Sequence, residues 1–189
     1  ANLDRTLHEC LAAIAGREDE IHAWVEIAPR PVPADQTMAM PFGVKDIFET
    51  ANMATEYGSP LYRGRRGTED AALVHLLESH GGQVLGKTHT TAFAFWDPAP
   101  TRNPLNSAYT PGGSSSGSVA AVAAGMCAFA TGTQTQGSVI RPASYCGICG
   151  FKPTFDRLPM EGCLPFAPSL DTAGLFTQTA VEMRELWRR

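Results

Sequence analysis

From Asp97 to Ser118 the sequence is turn chemistry throughout, with Pro, Asn, Gly and Ser dominating. A connection of about twenty residues inside a compact domain is unusual and is more often functional than idle. The segments on either side of it alternate in kind. Leu3, Leu7, Leu11 and Ile14 recur at helical spacing, which predicts an amphipathic helix over Asn2–Ala15 stopped by Gly16. Ile21–Ile27 reads as a strand closed by Pro31 and Pro33, and Pro41–Phe48 as a short apolar segment holding a lysine. Thr68 is placed to cap a helix whose apolar face is Ala72, Leu73, Leu76 and Leu77, with Gly81–Gly82 ending it. Val84-Leu85-Gly86 follows as a buried strand; beyond the long loop come a helix over Val119–Ala124, a strand over Ala128–Thr133 and a second Gly/Ser turn, Gln134–Ser138. Helix followed by short apolar strand is the rhythm of an α/β protein.

The chain has 189 residues, 43% of them hydrophobic, enough for one domain with a buried core. Its formal net charge is −4, and no basic run extends beyond Arg63–Arg66, so charge signals neither nucleic acid nor an anionic membrane as partner. No apolar run approaches the roughly 20 residues of a membrane helix, and no secretory n-region and h-region opens the chain. Five cysteines at irregular spacing argue against a disulfide framework. Cys146 and Cys149 form one CxxC without the second pair or the histidines that zinc would want, so two buried thiols in a tight turn are expected, in a reducing cytosol. Both ends read as cuts in a longer protein: Ala1 stands where a methionine would, and Arg189 lies inside a helical pattern.

Pro111-Gly112-Gly113-Ser114-Ser115-Ser116-Gly117-Ser118 admits three readings. A Gly-rich loop entering a helix cradles phosphate, but the Gly-Lys-Ser/Thr ending of a P-loop is missing. Gly113–Gly117 fits G-x-S-x-G with Ser115 central, yet that elbow needs a later histidine, and the last one is His89. The third reading takes a lysine as base. A neutral lysine activates a serine hydroxyl if desolvation lowers its pKa. Of the three lysines, Lys45 sits between Val44 and Ile47-Phe48, an apolar setting that disfavours the charged form; the bland alternative is a solvated surface charge.

Taken together these segments resemble the amidase-signature family from about Met40 to Phe176. The resemblance is carried by Gly43-Val44-Lys45-Asp46, by Asn103-Pro104 with Pro111–Ser118, and by Gly132-Thr133-Gln134-Thr135-Gln136-Gly137-Ser138 with Pro142-Ala143. Cys146-Gly147 with Gly150-Phe151-Lys152-Pro153-Thr154, and Ser169-Leu170-Asp171-Thr172, complete the series in the family's order. The resemblance implies a mixed β-sheet flanked by helices on both faces, here incomplete, with residues 1–189 as a single domain forming the N-terminal catalytic part of a longer protein. It implies Ser138 as nucleophile, Ser114 as proton relay after a cis Gly113–Ser114 bond, and Lys45 as base. It further implies an oxyanion hole from the backbone N–H groups of Thr135, Gln136 and Gly137, substrate contacts from Gly113, Ser115 and Arg141, and no cofactor or metal. Ser116 and Ser118 would cap the following helix, Lys152 would be structural, and Lys87 a strand-end residue near the site.

Two departures from the family's common pattern carry information. Gln136 stands where a small residue is usual, which would narrow or polarise the pocket. Arg141 lies three residues after Ser138 instead of two, a variant resembling members that act on malonamate-like or carboxylated urea-type amides. There it would hold a substrate carboxylate bidentately, or else pair with an internal carboxylate, Asp46 or Asp171. The expected function is hydrolysis of a small amide to a carboxylate and ammonia. The alternatives are the glutaminase component of a tRNA-dependent amidotransferase, against which the arginine position argues, and a catalytically silent truncated relative. An incomplete sheet exposes an edge strand, from which a homodimer is expected.

Overall fold

The computed structural model describes residues 2–32 and 39–189. Six strands form one mixed sheet: β1 (Trp24–Ile27), β2 (Met40–Lys45), β3 (Gly82–Thr88), β4 (Phe129–Gln134), β5 (Cys149–Phe151) and β6 (Thr172–Thr177), in the order β1-β3-β2-β4-β6-β5. β2 runs parallel to both β3 and β4, while β1, β6 and β5 pair antiparallel with their neighbours. Every residue of β2, β3, β4 and β6 is buried, as strands covered on both faces must be.

Among the described residues five α-helices supply the cover: α1 (Leu7–Ile21), α2 (Ala72–Ser79), α3 (Ser116–Ala123), α4 (Ile140–Cys146) and α5 (Ala180–Arg188). They divide between two cores. Leu73 and Val74 of α2 and Met183 and Leu186 of α5 pack with Phe42, Val44 and Phe129. Ile14 and Ile21 of α1, Val119 and Val122 of α3, and Ala143 of α4 pack with Leu85, Ala130 and Phe176. The α/β class and the helix-covered mixed sheet expected from the sequence are therefore present. Among the described residues no helix is long and apolar enough to cross a membrane.

Several boundaries differ from the expected ones for identifiable reasons. α1 begins at Leu7, because Thr6 and Glu9 form a capping box: Thr6 Oγ1 accepts from Glu9 N–H at 3.2 Å, and the Glu9 carboxylate accepts from Thr6 N–H at 2.8 Å. It then runs through Gly16 to Ile21, since a Cβ at Gly16 would meet nothing within 4 Å and the glycine is merely solvent-facing. Leu3, counted into that helix by spacing, packs in the other core, and Leu11 is exposed. Thr68 does not cap α2; the N-cap is Ala71, with no side-chain bond. α3 starts at Ser116, inside the expected loop. The sheet's edges are β1 and β5, of four and three residues, so the association expected of an exposed edge would rest on little unpaired backbone. Cys146, buried, ends α4, and Cys149, only half-buried because β5 is an edge strand, begins β5, with Gly147 between them at φ 67°, so one of the two thiols expected to be buried is not; all five cysteines are unpaired thiols.

α3 approaches the sheet so closely that Gly117 has no room for a side chain. A Cβ there would stand 2.2 Å from the Ala23 carbonyl oxygen and 2.3 Å from His89 N, both backbone atoms. Gly117→Ala is expected to destabilise the protein by about 3 kcal/mol, at the upper end of ordinary overpacking, read as a lowered midpoint in urea unfolding.

Candidate active site

Three parallel strands end together. β2 finishes at Lys45, β3 at Thr88 and β4 at Gln134, and antiparallel β6 begins beside them, with Thr172 opposite Gln134. The carboxyl end of parallel strands is where open α/β sheets place ligands, and both Gly/Ser turns of the sequence arrive there.

Lys45 is fully buried. Its Nζ lies 2.8 Å from Ser114 Oγ and 2.6 Å from Thr133 Oγ1, and its backbone N–H donates to Thr131 Oγ1 at 2.9 Å. Desolvation pushes its pKa from 10.5 down to about 7, against the weaker pull of Cys163 and Asp171. An amine that sheds its proton near neutrality and touches a serine hydroxyl can act as a base. Thr131 and Thr133 were missed as partners, although the period of two along β4 places both on one face of that strand.

Ser114 is buried, and the Gly113–Ser114 peptide bond is cis. Its carbonyl accepts from Thr91 N–H at 3.1 Å. Ser115 is also buried, its Oγ 3.4–3.5 Å from the backbone N and O of Thr133; it packs against β4 and does not line the cleft described below. The serines that follow do not cap α3. Ser116 Oγ donates to Gly112 O at 2.8 Å, and Ser118 Oγ bonds Thr88 Oγ1 at 2.7 Å.

Ser138 lies half-buried in the turn between β4 and α4. Gln134 shapes that turn: its Oε1 accepts from the N–H groups of both Val139 and Ile140 at 3.0 Å. Asp171 fixes the other side, accepting from Thr135 Oγ1 and, at 2.8 Å each, from the N–H groups of Phe166 and Ala167. Among the described residues, the N–H groups of Thr135, Gln136 and Gly137 and the hydroxyl of Ser138 have no hydrogen-bond partner. Ser138 opens on a cleft of about 90 Å³ lined by Ala94, Phe95, Trp96, Thr135, Gln136, Arg141 and Phe166. The exposed side chain of Gln136 borders it, as its bulk suggests.

Arg141 pairs with neither candidate carboxylate. Nε and Nη2 both donate to the Gly113 carbonyl, at 3.2 and 2.9 Å, tying α4 to the loop that carries Ser114. Asp46 instead faces Lys87 at 3.6 Å, both fully buried, and accepts from the N–H groups of Glu56 and Gly58. Lys87 Nζ also donates to the Phe48 carbonyl at 2.6 Å and to the hydroxyls of Thr50 and Thr55, each at 3.1 Å. Burial lowers Lys87 to about 8 and raises Asp46 to about 6, each opposed by the other's charge. Lys87 is thus a buried clamp beneath the strand ends, more firmly held than its position near the end of β3 suggested.

The sequence and the fold of this chain have known relatives. The Amidase family's sequence pattern matches residues 36–189. The glutamyl-tRNA(Gln) amidotransferase A-component of Halorhodospira halophila is 43% identical over 150 residues, 76% of this chain and 31% of the relative. Its counterpart of the same name from Cupriavidus necator is 38% identical over 94% of this chain and 34% of its own length. Among solved structures, the glutamyl-tRNA(Gln) amidotransferase A-component of Thermotoga maritima superposes with a TM-score of 0.89 at 31% identity, over 100% of this chain and 47% of that one. The peptide amidase of Stenotrophomonas maltophilia does so with a TM-score of 0.85 at 30% identity, over 95% and 42%. The chain spans about a third of the length of the curated relatives it matches. The relatives named here bear amidotransferase or peptide amidase names, so they do not carry the likeness to malonamate-hydrolysing members that was read from Arg141.

Proposed function

Because the chain belongs to the amidase family, we propose that it carries the catalytic centre of a hydrolase that converts a small amide and water into a carboxylate and ammonia, with Ser138 as nucleophile. The observation that carries this reading is the contact of Lys45 Nζ with Ser114 Oγ inside a buried site; Ser138 lines a cleft and makes no hydrogen bond to Ser114, so its approach to that relay belongs to the proposal. In the proposed cycle Ser138 Oγ attacks the amide carbonyl carbon. Its proton passes to Ser114, and the proton of Ser114 passes to the neutral Lys45 amine. The backbone N–H groups of Thr135, Gln136 and Gly137 receive the oxyanion, for which their lack of other acceptors leaves them available. The C–N bond then breaks, ammonia leaves with the proton returned through Ser114, and water hydrolyses the acyl-enzyme along the same relay. Thr133 accepts from Lys45 throughout, keeping Nζ aimed at Ser114.

Residues 1–189 are on this reading one domain, the N-terminal catalytic part of a longer protein. A second reading, the glutaminase component of a tRNA-dependent amidotransferase, is favoured by the names of the relatives. Ammonia release by the longest protein that contains this chain, offered glutamine, malonamate, biuret and propionamide, separates the two. Preference for a simple amide over glutamine supports the free-standing amidase, preference for glutamine the amidotransferase component, and no turnover of these four or of phenylacetamide sinks both.

Arg141 lines the cleft, which keeps a carboxylate-bearing substrate in play, but two of its nitrogens already serve Gly113. Arg141→Lys replaces a two-pronged grip by a single point charge. It is expected to lower kcat about tenfold for malonamate and propionamide alike. A rise in KM confined to malonamate would assign the residue to the substrate instead.

A further inference from the structure

Three large aromatic side chains beside Ser138 have no part in the chemistry above. Phe95, Trp96 and Phe166 are 55%, 67% and 43% exposed, and all three line the cleft. They form one wall. The rings of Phe95 and Phe166 stack with centroids 5.4 Å apart and planes at 27°, and Trp96 meets Phe95 edge-on at 5.6 Å. Large apolar side chains gathered at a solvent-facing hollow mark a binding surface more often than a random one.

The backbone holds this wall in place at a cost. Phe93 and Ala94, the residues leading into it, are both left-handed, at φ 51° and 58°, a region that non-glycine residues seldom occupy. The segment is tied on several sides. Thr91 N–H donates to the Ser114 carbonyl, Phe93 N–H to the Tyr57 carbonyl at 2.8 Å, and Thr91 Oγ1 to the Phe95 carbonyl at 2.8 Å. On the opposite side Asp171 accepts from the Phe166 N–H while also holding Thr135. Phe166 and the turn carrying Ser138 are thus positioned by the same carboxylate.

We propose that the Phe95–Trp96–Phe166 wall selects amides whose acyl group carries a flat aromatic ring, which stacks on the wall while the amide carbonyl meets Ser138. This rests on the reading of Ser138 as nucleophile. Flatness is the property being read, because stacked rings gain attraction beyond the area they bury.

The test compares phenylacetamide with cyclohexylacetamide, equal in carbon count and attachment but flat in one case and puckered in the other. Propionamide serves as the ring-free amide, and kcat/KM for ammonia release is measured on the full-length protein. The phenyl compound is expected to be favoured about tenfold, the equivalent of one or two stacked pairs. Phe95→Leu and Phe166→Leu should each reduce that ratio about threefold, their combination should bring it close to one, and Phe166→Tyr should preserve it. A partly misfolded variant lowers both numbers together and leaves the ratio intact. Turnover of propionamide with no phenyl preference, or a preference that survives the double replacement, overturns the proposal alone. Failure to hydrolyse any amide overturns the hydrolase reading and this one with it.

Discussion

Ser138→Ala is expected to reduce ammonia release by the full-length protein about ten-thousand-fold while leaving its unfolding midpoint nearly unchanged. The two halves of that result have separate causes. The Ser138 hydroxyl has no hydrogen-bond partner among the described residues and is only half-buried, so an alanine forfeits no bond and creates no cavity. The chemical loss is large because the attacking oxygen itself is gone, so that relay and base have nothing to act on and only binding and oxyanion stabilisation remain. Ser114→Ala should fall less far, about a thousandfold, in the range that proton transfer contributes; it removes the bridge but keeps the attacking oxygen. Intact-mass measurement during turnover distinguishes them further. The unsubstituted protein and Ser114→Ala can both carry an acyl adduct, and Ser138→Ala cannot. An adduct on Ser138→Ala, or turnover within tenfold of the unsubstituted protein, would place the nucleophile elsewhere.

What could be read from the sequence followed from locality. The apolar segment with its lysine was legible because its residues lie together, although not as a strand, and burial of all of β2, which ends on that lysine, is what makes the lysine unusual. The Gly/Ser turns were legible because turn chemistry is a property of neighbouring residues. The failures at Leu3, Thr133 and Arg141 cross long distances in the chain, whereas the missed boundaries at Gly16, Thr68 and Ser116 are local. Leu3 shares the helical spacing of Leu7 but packs with β2 and α5 instead of continuing α1, which only the folded chain decides. Thr133 became a partner of Lys45 because β4 pairs in parallel with β2, and nothing near Thr133 announces that pairing. Arg141 was weighed against carboxylates because a charge suggests an opposite charge; its acceptor is a backbone carbonyl, a group every residue owns and no sequence singles out. Phe95 and Phe166 likewise meet only because Asp171 and the Thr91–Asp97 segment bring two loops to one cleft.

Replacing Lys45 by methionine should abolish activity and, below neutrality, make the protein more stable. The base works only when neutral, and its pKa of about 7 leaves roughly a tenth of it neutral at pH 6. In the unsubstituted protein kcat/KM is therefore expected to climb about tenfold from pH 6 to a plateau above pH 8, a limb that reports the free enzyme. The stability argument uses the same displacement with its sign worked through. The folded chain releases the Lys45 proton near 7 and the unfolded chain near 10.5, so between those values the unfolded state binds more protons and stability rises with pH. Below 7 both states are protonated, and the cost of a buried ammonium is carried in full. At about 1.36 kcal/mol per tenfold change in protonation constant, that cost is roughly 5 kcal/mol. Methionine removes it but strands the Ser114 and Thr133 hydroxyls, each worth about 1–2 kcal/mol as an unmet buried group. The net expected gain is about 2 kcal/mol at pH 6, vanishing and then reversing towards pH 10. Urea unfolding of both proteins at pH 6 and pH 9 measures it. A methionine variant that is less stable at pH 6, or a difference that does not change with pH, would mean that Lys45 is not held near neutrality by burial, and the base of the proposed cycle would have to be sought elsewhere.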